Sequence, residues 1–248
     1  TVNRHLPLLH RYITLRKQAL GLEELHSYDL YVSLIEGIDV KYGFEEAQEI
    51  IVAALSPLGP EYVEIVRRAF RERWIDRADN KGKRSGAYSS GAHGTNPYIL
   101  LNWQGTLDNL FTLAHELGHS VHSWYSRNTQ PFIYSSYSIF LAEIASTMNE
   151  NLLTDYLLSQ TDDDKLRQTV INNYLDGFKG TVFRQTQFAE FEHLIHTAAA
   201  AGTPLTSAFL TTKAALPVME RQRSGAIVNV SSIAGMRWAG KDQVGYAA

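Results

Sequence analysis

The chain has 248 residues, of which 44% are hydrophobic and 20% are charged, so it is long enough for one large domain or two small ones with a buried core. Its formal net charge of −3 gives no electrostatic reason to expect a nucleic acid or a membrane surface as a partner. The absence of cysteine excludes disulfides and thiolate metal sites, leaves His, Asp and Glu as metal ligands, and makes the cytoplasm the default location.

The first third of the sequence predicts helices. Apolar residues recur at helical spacing over 6–20 and over 44–58. A third helix is predicted from Pro60, because proline lacks the N–H that the first helical turn leaves unpaired in any case. No apolar run reaches the roughly 18 residues that are needed to span a bilayer.

The segment 79–96 is rich in glycine and small polar residues, and the "PYILLNW" that follows is rich in strand formers. Together they predict a loop and a small β-hairpin at 86–103. The basic cluster "NKGKR" at 80–84 is predicted to be a solvated part of this loop rather than a phosphate site.

Helical patterns resume after the hairpin. Thr106 is the predicted cap of a helix that runs to about residue 126, and further helices are predicted over 138–159, 163–178 and 181–200. The predicted fold class is therefore mainly α with a small hairpin. Beyond a boundary placed between 201 and 207, "SAFLTTKAALPVMERQRSG" and "AIVNVSS" predict a helix and a buried strand, a short α/β fragment.

The stretch "TLAHELGHSVHSWY" at 112–125 places two histidines four residues apart on a predicted helix. Four residues correspond to about 6 Å along the axis and about 40° around it, so His115 and His119 can bind one metal ion. Glu116 flanks the same face and can hold a water beside the metal as a general base. A bare H-E-x-x-H also occurs by chance in many helices that bind no metal.

A third metal ligand is required, and two residues compete for this role. His122 lies on the same helical face, but its seven-residue separation from His115 is roughly 10 Å of rise, too far for both to bind one ion. Glu143 is the better candidate. It lies in a second predicted helix among apolar neighbours, where a buried carboxylate is costly unless it meets a cation.

Several segments occur in one order and together resemble oligoendopeptidase F, in the thimet oligopeptidase family of zinc metallopeptidases, over residues 1–206. They are "KGKRSGAYSSGAHGTNPYILLNWQGTLDNLFTLAHELGHSVHSWYS", "IFLAEIASTMNENLLTDYLL", "GTVFRQTQFAEFEHLIH" and "GTPLT". The resemblance implies a helical zincin-type catalytic core in which His115, His119 and Glu143 bind Zn²⁺. It assigns the general base to Glu116.

The resemblance also implies a deep channel that admits oligopeptides, with the small hairpin beside it. An edge strand of this hairpin can pair with an extended peptide, so the candidate substrate-binding residues are Gly91, Gly94 and Tyr98. His122 is expected to pack near the site. A second set of polar residues is expected either to support the zinc ligands or to form a structural ion pair: Arg184, Glu190 and Glu192.

Enzymes of that family continue past "PLT" into a tyrosine-rich segment that contacts the substrate and the developing oxyanion, and they carry an N-terminal helical lobe. Neither is recognised in this sequence. The chain also begins with Thr and stops at "GYAA" in mid-pattern. A catalytic core cut at both ends is therefore expected.

Residues 207–248 resemble the middle of a short-chain dehydrogenase, with Ser232 as the catalytic serine and Tyr246 as the acid/base. The lysine that should follow the tyrosine is not present, nor is a glycine-rich nucleotide loop, and Pro204 stands about where that family has an asparagine. Hydride transfer is therefore not expected. The predicted organisation is a zinc oligopeptidase core over 1–206 and a truncated dehydrogenase-like segment over 207–248.

Three functions are compatible with these patterns. The first is a zinc metalloendopeptidase that hydrolyses short oligopeptides through a zinc-bound water activated by Glu116. The second is a helical module that binds zinc without turnover. The third is a nicotinamide-dependent dehydrogenase, against which the missing lysine and glycine-rich loop argue. Oligopeptides are the predicted partners of the first.

Overall fold

A computed structural model describes residues 2–35 and 40–202, and these are mainly helical, as the sequence predicts. The α-helices described there are α1 Val2–Ala19, α2 Phe44–Ala54, α3 Pro60–Arg71, α4 Leu107–Thr129, α5 Ile139–Ser159, α6 Asp164–Phe178 and α7 Gln185–Ala200. The strands are β1 Ile75–Asp76, β2 Tyr88–Ser90 and β3 Tyr98–Leu100. Within these ranges, no helix is long and apolar enough to cross a membrane.

Two predicted helices differ from the structure at their ends. The helix predicted over 44–58 ends at Ala54 and continues as a 3₁₀ turn, Ser56–Leu58, because Pro57 has no N–H to donate to an α-helical bond. The helix predicted over 181–200 begins as a π-helix, Lys179–Arg184, before α7. The other predicted helices lie within a few residues of their observed ends.

The chain divides into two compact units. The larger unit spans Leu8–Asp176, and the smaller one consists of Thr1–Pro7 and Gly177–Ala248, of which the structure describes 2–7 and 177–202. The predicted boundary at 206, the α/β fragment over 207–248 and the residues singled out there lie outside the described residues: Pro204, Ser232 and Tyr246.

The core of the larger unit is built around α4. Its apolar residues recur every three or four positions and are fully buried: Leu110, Leu113, Leu117 and Val121. They pack in one cluster with Ile51 of α2, Val66 of α3 and Leu153 of α5. Burial of one such side chain contributes about 1.5–3 kcal/mol, so this cluster fixes where the face of α4 points.

The predicted hairpin is present. β2 pairs with β3 in antiparallel register, with Ser89 opposite Ile99, and β1 adds a parallel strand on the other side of β3. The strand order is therefore β1-β3-β2, with β2 at an edge of the sheet that the structure describes. The two-residue β1 was not predicted, because so short a strand carries no alternation that a sequence pattern can detect.

The basic cluster at 80–84 differs from its prediction in one residue. The side chain of Lys83 is only 3% exposed, and its ammonium donates to the backbone oxygens of Asp76, Ala78 and Leu101 at 2.7–2.9 Å. The prediction of a solvated loop is wrong for this side chain. A lysine ammonium offers three donors, so it can hold together the carbonyl groups of β1, of the β1–β2 connection and of the residue after β3.

Candidate metal centre

Helix α4 presents the H-E-x-x-H motif from a well-defined start. Thr106 caps the helix, and its side-chain oxygen accepts a hydrogen bond from the Asn109 N–H at 3.2 Å, as the sequence predicts. The Nε2 atoms of His115 and His119 lie 3.0 Å apart, with their ring planes at 88°. Both imidazoles therefore converge on one point beside the helix.

Helix α5 brings a carboxylate to the same point. Oε2 of Glu143 lies 3.5 Å from Nε2 of His115 and 3.7 Å from Nε2 of His119. The close approach of α4 and α5 depends on Gly118, because a Cβ at this position would lie 2.7 Å from the backbone oxygen of Ala145. The glycine inside the motif thus lets the two helices approach closely enough to bring the three groups together.

These three groups fit a zinc ion by their chemistry and spacing. Two imidazole nitrogens and one carboxylate oxygen are a common zinc donor set, and bonds of about 2.0–2.1 Å in a tetrahedron separate the donor atoms by about 3.3 Å. All three ligand atoms of His115, His119 and Glu143 lie within 4.8 Å of one another. The His–His separation of 3.0 Å lies below this value, and the two His–Glu separations of 3.5 and 3.7 Å lie above it.

Glu150 completes the arrangement, and sequence reasoning missed it. Its Oε1 accepts a hydrogen bond from Nδ1 of His115. A proton on Nδ1 leaves the lone pair of Nε2 facing the cluster, the tautomer that a metal ligand requires. A usable signal was present, because Glu150 lies seven residues after Glu143 on α5, two helical turns along nearly the same face.

The surroundings shift the pKa values of His115 and His119 in opposite directions. Burial lowers the pKa of His115, but the hydrogen bond and charge of Glu150, with the charges of Glu116 and Glu143, raise it above its ordinary value. Burial and the neighbouring His115 lower the pKa of His119. A lowered pKa favours the neutral imidazole, which is the form that ligates metal.

Glu116 lies beside the cluster as a buried carboxylate. The residue is 7% exposed, and its Oε2 has no hydrogen-bond partner among the described residues. The pKa of Glu116 is raised, chiefly by burial and to a smaller extent by the charge of Glu143. The charge of His115 and the hydrogen bond from the backbone of Ser89 oppose this shift. A carboxylate of raised pKa, with one oxygen unpaired among the described residues, suits proton transfer better than structural support.

The strand β2 lies against the same face of α4. The hydroxyl groups of Ser89 and Ser120 are 2.8 Å apart, and the backbone of Ser89 forms a hydrogen bond with the Glu116 carboxylate. Gly91 follows β2 directly, whereas Gly94 lies in the turn with a φ of 82°. Tyr98 belongs to the central strand β3 and is half exposed.

The outer face of the small sheet forms an open groove of about 610 Å³. Its lining includes Tyr88, Ser90 and Tyr98, whose side chains alternate with Ser89 and Ile99 and therefore lie on the face away from α4. None of the metal-cluster residues lines this groove. Of the three predicted substrate-binding residues, Gly91 and Tyr98 line this groove. Gly91 also directly follows β2, the strand that contacts α4.

The remaining candidates are accounted for by local contacts. His122 stacks on Tyr137 with ring centroids 3.8 Å apart, which agrees with the prediction that it packs near the site. In the smaller unit, the guanidinium of Arg184 lies over the ring of Phe188, and Glu192 lies 4.0 Å from His196 with both side chains exposed. Glu190 is exposed on α7.

Known proteins share this sequence and fold. The sequence profile of Peptidase family M3 matches residues 1–224. Oligopeptidase PepF of Bacillus subtilis (strain 168) is 58% identical over 211 residues, which cover 85% of this chain and 32% of the relative. Group B oligopeptidase PepB of Streptococcus agalactiae serotype III (strain NEM316) is 59% identical over 210 residues, which cover 85% of this chain and 35% of the relative.

A solved structure gives the same result. The crystal structure of oligoendopeptidase-F from Enterococcus faecium is 42% identical, has a TM-score of 0.56, and is matched over 92% of this chain and 32% of that chain. The fold and the comparisons define a mainly helical protein of the peptidase class. The chain belongs to Peptidase family M3. It spans about a third of the length of the curated relatives it matches.

The comparisons bear differently on the two resemblances predicted from the sequence. The likeness to oligoendopeptidase F is confirmed. The likeness of 207–248 to a short-chain dehydrogenase gains no support, and the family match extends to residue 224, past the predicted boundary at 206.

Proposed function

We propose that this chain is the catalytic core of a zinc-dependent oligopeptidase, with His115, His119 and Glu143 as the zinc ligands and Glu116 as the general base. One observation carries the proposal: three ligand atoms of the kinds that zinc prefers converge within 4.8 Å, next to a buried carboxylate oxygen without a partner. Membership of Peptidase family M3 supports the same reading.

The chemistry divides between the metal and the protein. Zinc, when bound, supplies a Lewis acid that polarises a peptide carbonyl and lowers the pKa of water. Glu116 accepts the proton from the attacking water and later donates it to the leaving amine. Its burial keeps its pKa raised, so the protonated form is accessible for the second step. Glu150 holds the ring of His115 in the required tautomer and orientation.

Oligopeptides are the proposed substrates, and the edge of β2 is the proposed place for their main chain. An extended peptide can add a strand to an exposed sheet edge through backbone hydrogen bonds. The names of the relatives, oligopeptidase and oligoendopeptidase, support the same substrate class. The cytoplasmic location inferred from the absence of cysteine stays a prediction.

A second candidate is a helical module that binds zinc but turns over no substrate. It requires only the three converging ligand atoms of His115, His119 and Glu143. Two histidines and Glu143 suffice for metal affinity, whereas turnover also needs groups that stabilise the oxyanion, each typically contributing about 100- to 1,000-fold in rate.

Cleavage of a quenched fluorogenic oligopeptide by protein of measured zinc content separates the two candidates. The oligopeptidase should lose cleavage with a chelator and with Glu116→Gln, while Glu116→Gln keeps its zinc. Glu49→Gln, an exposed glutamate on α2, serves as the matched control and should cleave like wild type. Zinc binding without any cleavage supports the module, and the absence of zinc binding contradicts both candidates.

A further inference from the structure

The C-terminal part of α4 reaches the end of β2 through one side chain. Nη2 of Arg127 donates a hydrogen bond to the backbone oxygen of Gly91 at 2.9 Å. A Cβ on Gly91 would lie 2.5 Å from Nη1 of the same guanidinium and 3.0 Å from the backbone oxygen of Asn96, so a side chain at this position would have to displace the guanidinium. The contact therefore depends on both residues.

Arg127 is one of the α4 residues that contact β2 or the residue after it. Ser120 and Arg127 follow Glu116 by four and eleven residues, which places all three within about 40° of one another around the helix. The Glu116 carboxylate is hydrogen-bonded to the backbone of Ser89, and the Ser120 hydroxyl is hydrogen-bonded to the Ser89 hydroxyl. Arg127 binds the backbone oxygen of Gly91. One helical face thus carries the general base and the residues that hold the strand.

The hydrogen-bonding pattern shows which groups of β2 face outward. The N–H groups of Ile99 and Leu101 donate to the backbone oxygens of Trp74 and Asp76, on the β1 side, so the alternate residues of β3 face β2. In an antiparallel ladder, Tyr88 and Ser90 then pair with β3, whereas the N–H and C=O of Ser89 point away from it. Gly91, two residues later, has the same direction, and Arg127 binds its oxygen there.

Two backbone groups at this edge have no hydrogen bond among the described residues: the oxygen of Ser89 and the N–H of Gly91. Together they offer one acceptor and one donor, the pair that an added strand uses. They lie between Glu116, which is next to Ser89, and Arg127, which holds Gly91.

We propose that Arg127 is a positioning residue for peptide substrates, which fixes Gly91 so that the oxygen of Ser89 and the N–H of Gly91 bind the main chain of an extended peptide beside Glu116. The proposal rests on the proposed function only in taking an oligopeptide as the ligand. Nη1 of Arg127 is buried and has no hydrogen-bond partner within 2–35 and 40–202, a costly arrangement that stability alone does not favour.

The test uses metal-free protein, so that binding is measured without cleavage. The probe is a fluorescein-labelled extended peptide of alternating Ala and Val, compared with the same peptide N-methylated at alternate residues, which lacks half of the main-chain donors. The variants are Arg127→Ala, Arg127→Lys and Gly91→Ala. Arg71→Ala is the matched control, because Arg71 also ends a helix but pairs only with exposed Glu64.

Loss of one backbone contact should weaken binding about three- to tenfold. We expect Arg127→Ala and Gly91→Ala to lower the affinity for the unmodified peptide by this factor. Arg127→Lys should retain part of the wild-type affinity, and Arg71→Ala should leave it unchanged. The N-methylated peptide should bind weakly to every variant. Equal affinity of wild type and Arg127→Ala overturns the proposal, as does the absence of peptide binding to wild type.

Two further readouts separate positioning from general damage. Amide hydrogen exchange at 88–91 should accelerate in Arg127→Ala, while the exchange of α4 and the affinity for zinc stay unchanged. If the hairpin exchanges at the wild-type rate, Arg127 does not hold it, whatever the peptide does. Failure of zinc binding or of Glu116-dependent cleavage in wild type concerns the proposed function and leaves these hairpin measurements as an independent result.

Discussion

Glu150 on α5 accepts a hydrogen bond from Nδ1 of His115 on α4, while Glu143, two turns earlier on α5, faces Nε2 of the same ring. One imidazole thus has a carboxylate of the same helix near each of its two nitrogens, and only the Nδ1 contact is a hydrogen bond. The two carboxylates have different positions relative to the histidine pair: Glu143 lies near both His115 and His119, whereas Glu150 is hydrogen-bonded to Nδ1 of His115.

Glu150→Gln should lower the zinc affinity about 10- to 100-fold, because an amide holds the ring and supports its basicity less well than a carboxylate. Competition with a chromophoric chelator measures this affinity. Asp155→Asn, an exposed acid on the same helix, is the control and should leave the affinity unchanged. An unaltered affinity in Glu150→Gln would show that the hydrogen bond does not orient His115.

Gly118→Ala should destabilise the metal-free protein by about 1–3 kcal/mol, because the new methyl group would meet the backbone of Ala145 and Ser146 at 2.7 Å and force α4 and α5 apart. Urea unfolding measures the loss. Gly177→Ala is the control, since nothing lies within 4 Å of its added Cβ, and it should not destabilise the protein but can stabilise it by up to about 1 kcal/mol through helix propensity. Equal effects of the two substitutions would contradict the proposed role of Gly118.

Lys83→Met should cost about 1–3 kcal/mol in the free energy of unfolding, because it removes the donor that three backbone oxygens share. Lys81→Met, an exposed change in the same loop, provides the comparison and should be nearly neutral. Thermal and urea unfolding of both variants measure the difference. If Lys83→Met unfolds like Lys81→Met, the buried ammonium contributes nothing to holding the β1–β2 connection.

Zinc at about 100 times its dissociation constant should raise the free energy of unfolding by about 2.7 kcal/mol, and a chelator should reverse the effect. The physical reason is that the three ligands converge only in the folded protein. His119→Ala should abolish the response to zinc, whereas His196→Ala, an exposed histidine, should keep it. A zinc response that survives His119→Ala would place the metal elsewhere.

The sequence alone predicted those parts of the site that one helix determines. The spacing of His115, Glu116 and His119 fixes their common face, because α-helical geometry is local. The cap Thr106 before α4, most of the helix limits and the hairpin followed from local signals as well, such as the glycines around β2. Glu143 was selected because its apolar neighbours indicated a buried carboxylate, and that reason was wrong, because its side chain is 44% exposed; its carboxylate nevertheless approaches the two histidines.

Only the tertiary structure decided which distant groups meet. Glu150 and Arg127 look like ordinary helix-surface charges in the sequence, and Lys83 looks like part of a solvated loop. Their contacts with His115, Gly91 and the backbone around β1 arise because the buried face of α4 sets the position of α5 and of the small sheet. Such contacts depend on the packing of segments far apart in the chain, and no local pattern encodes the distance between them.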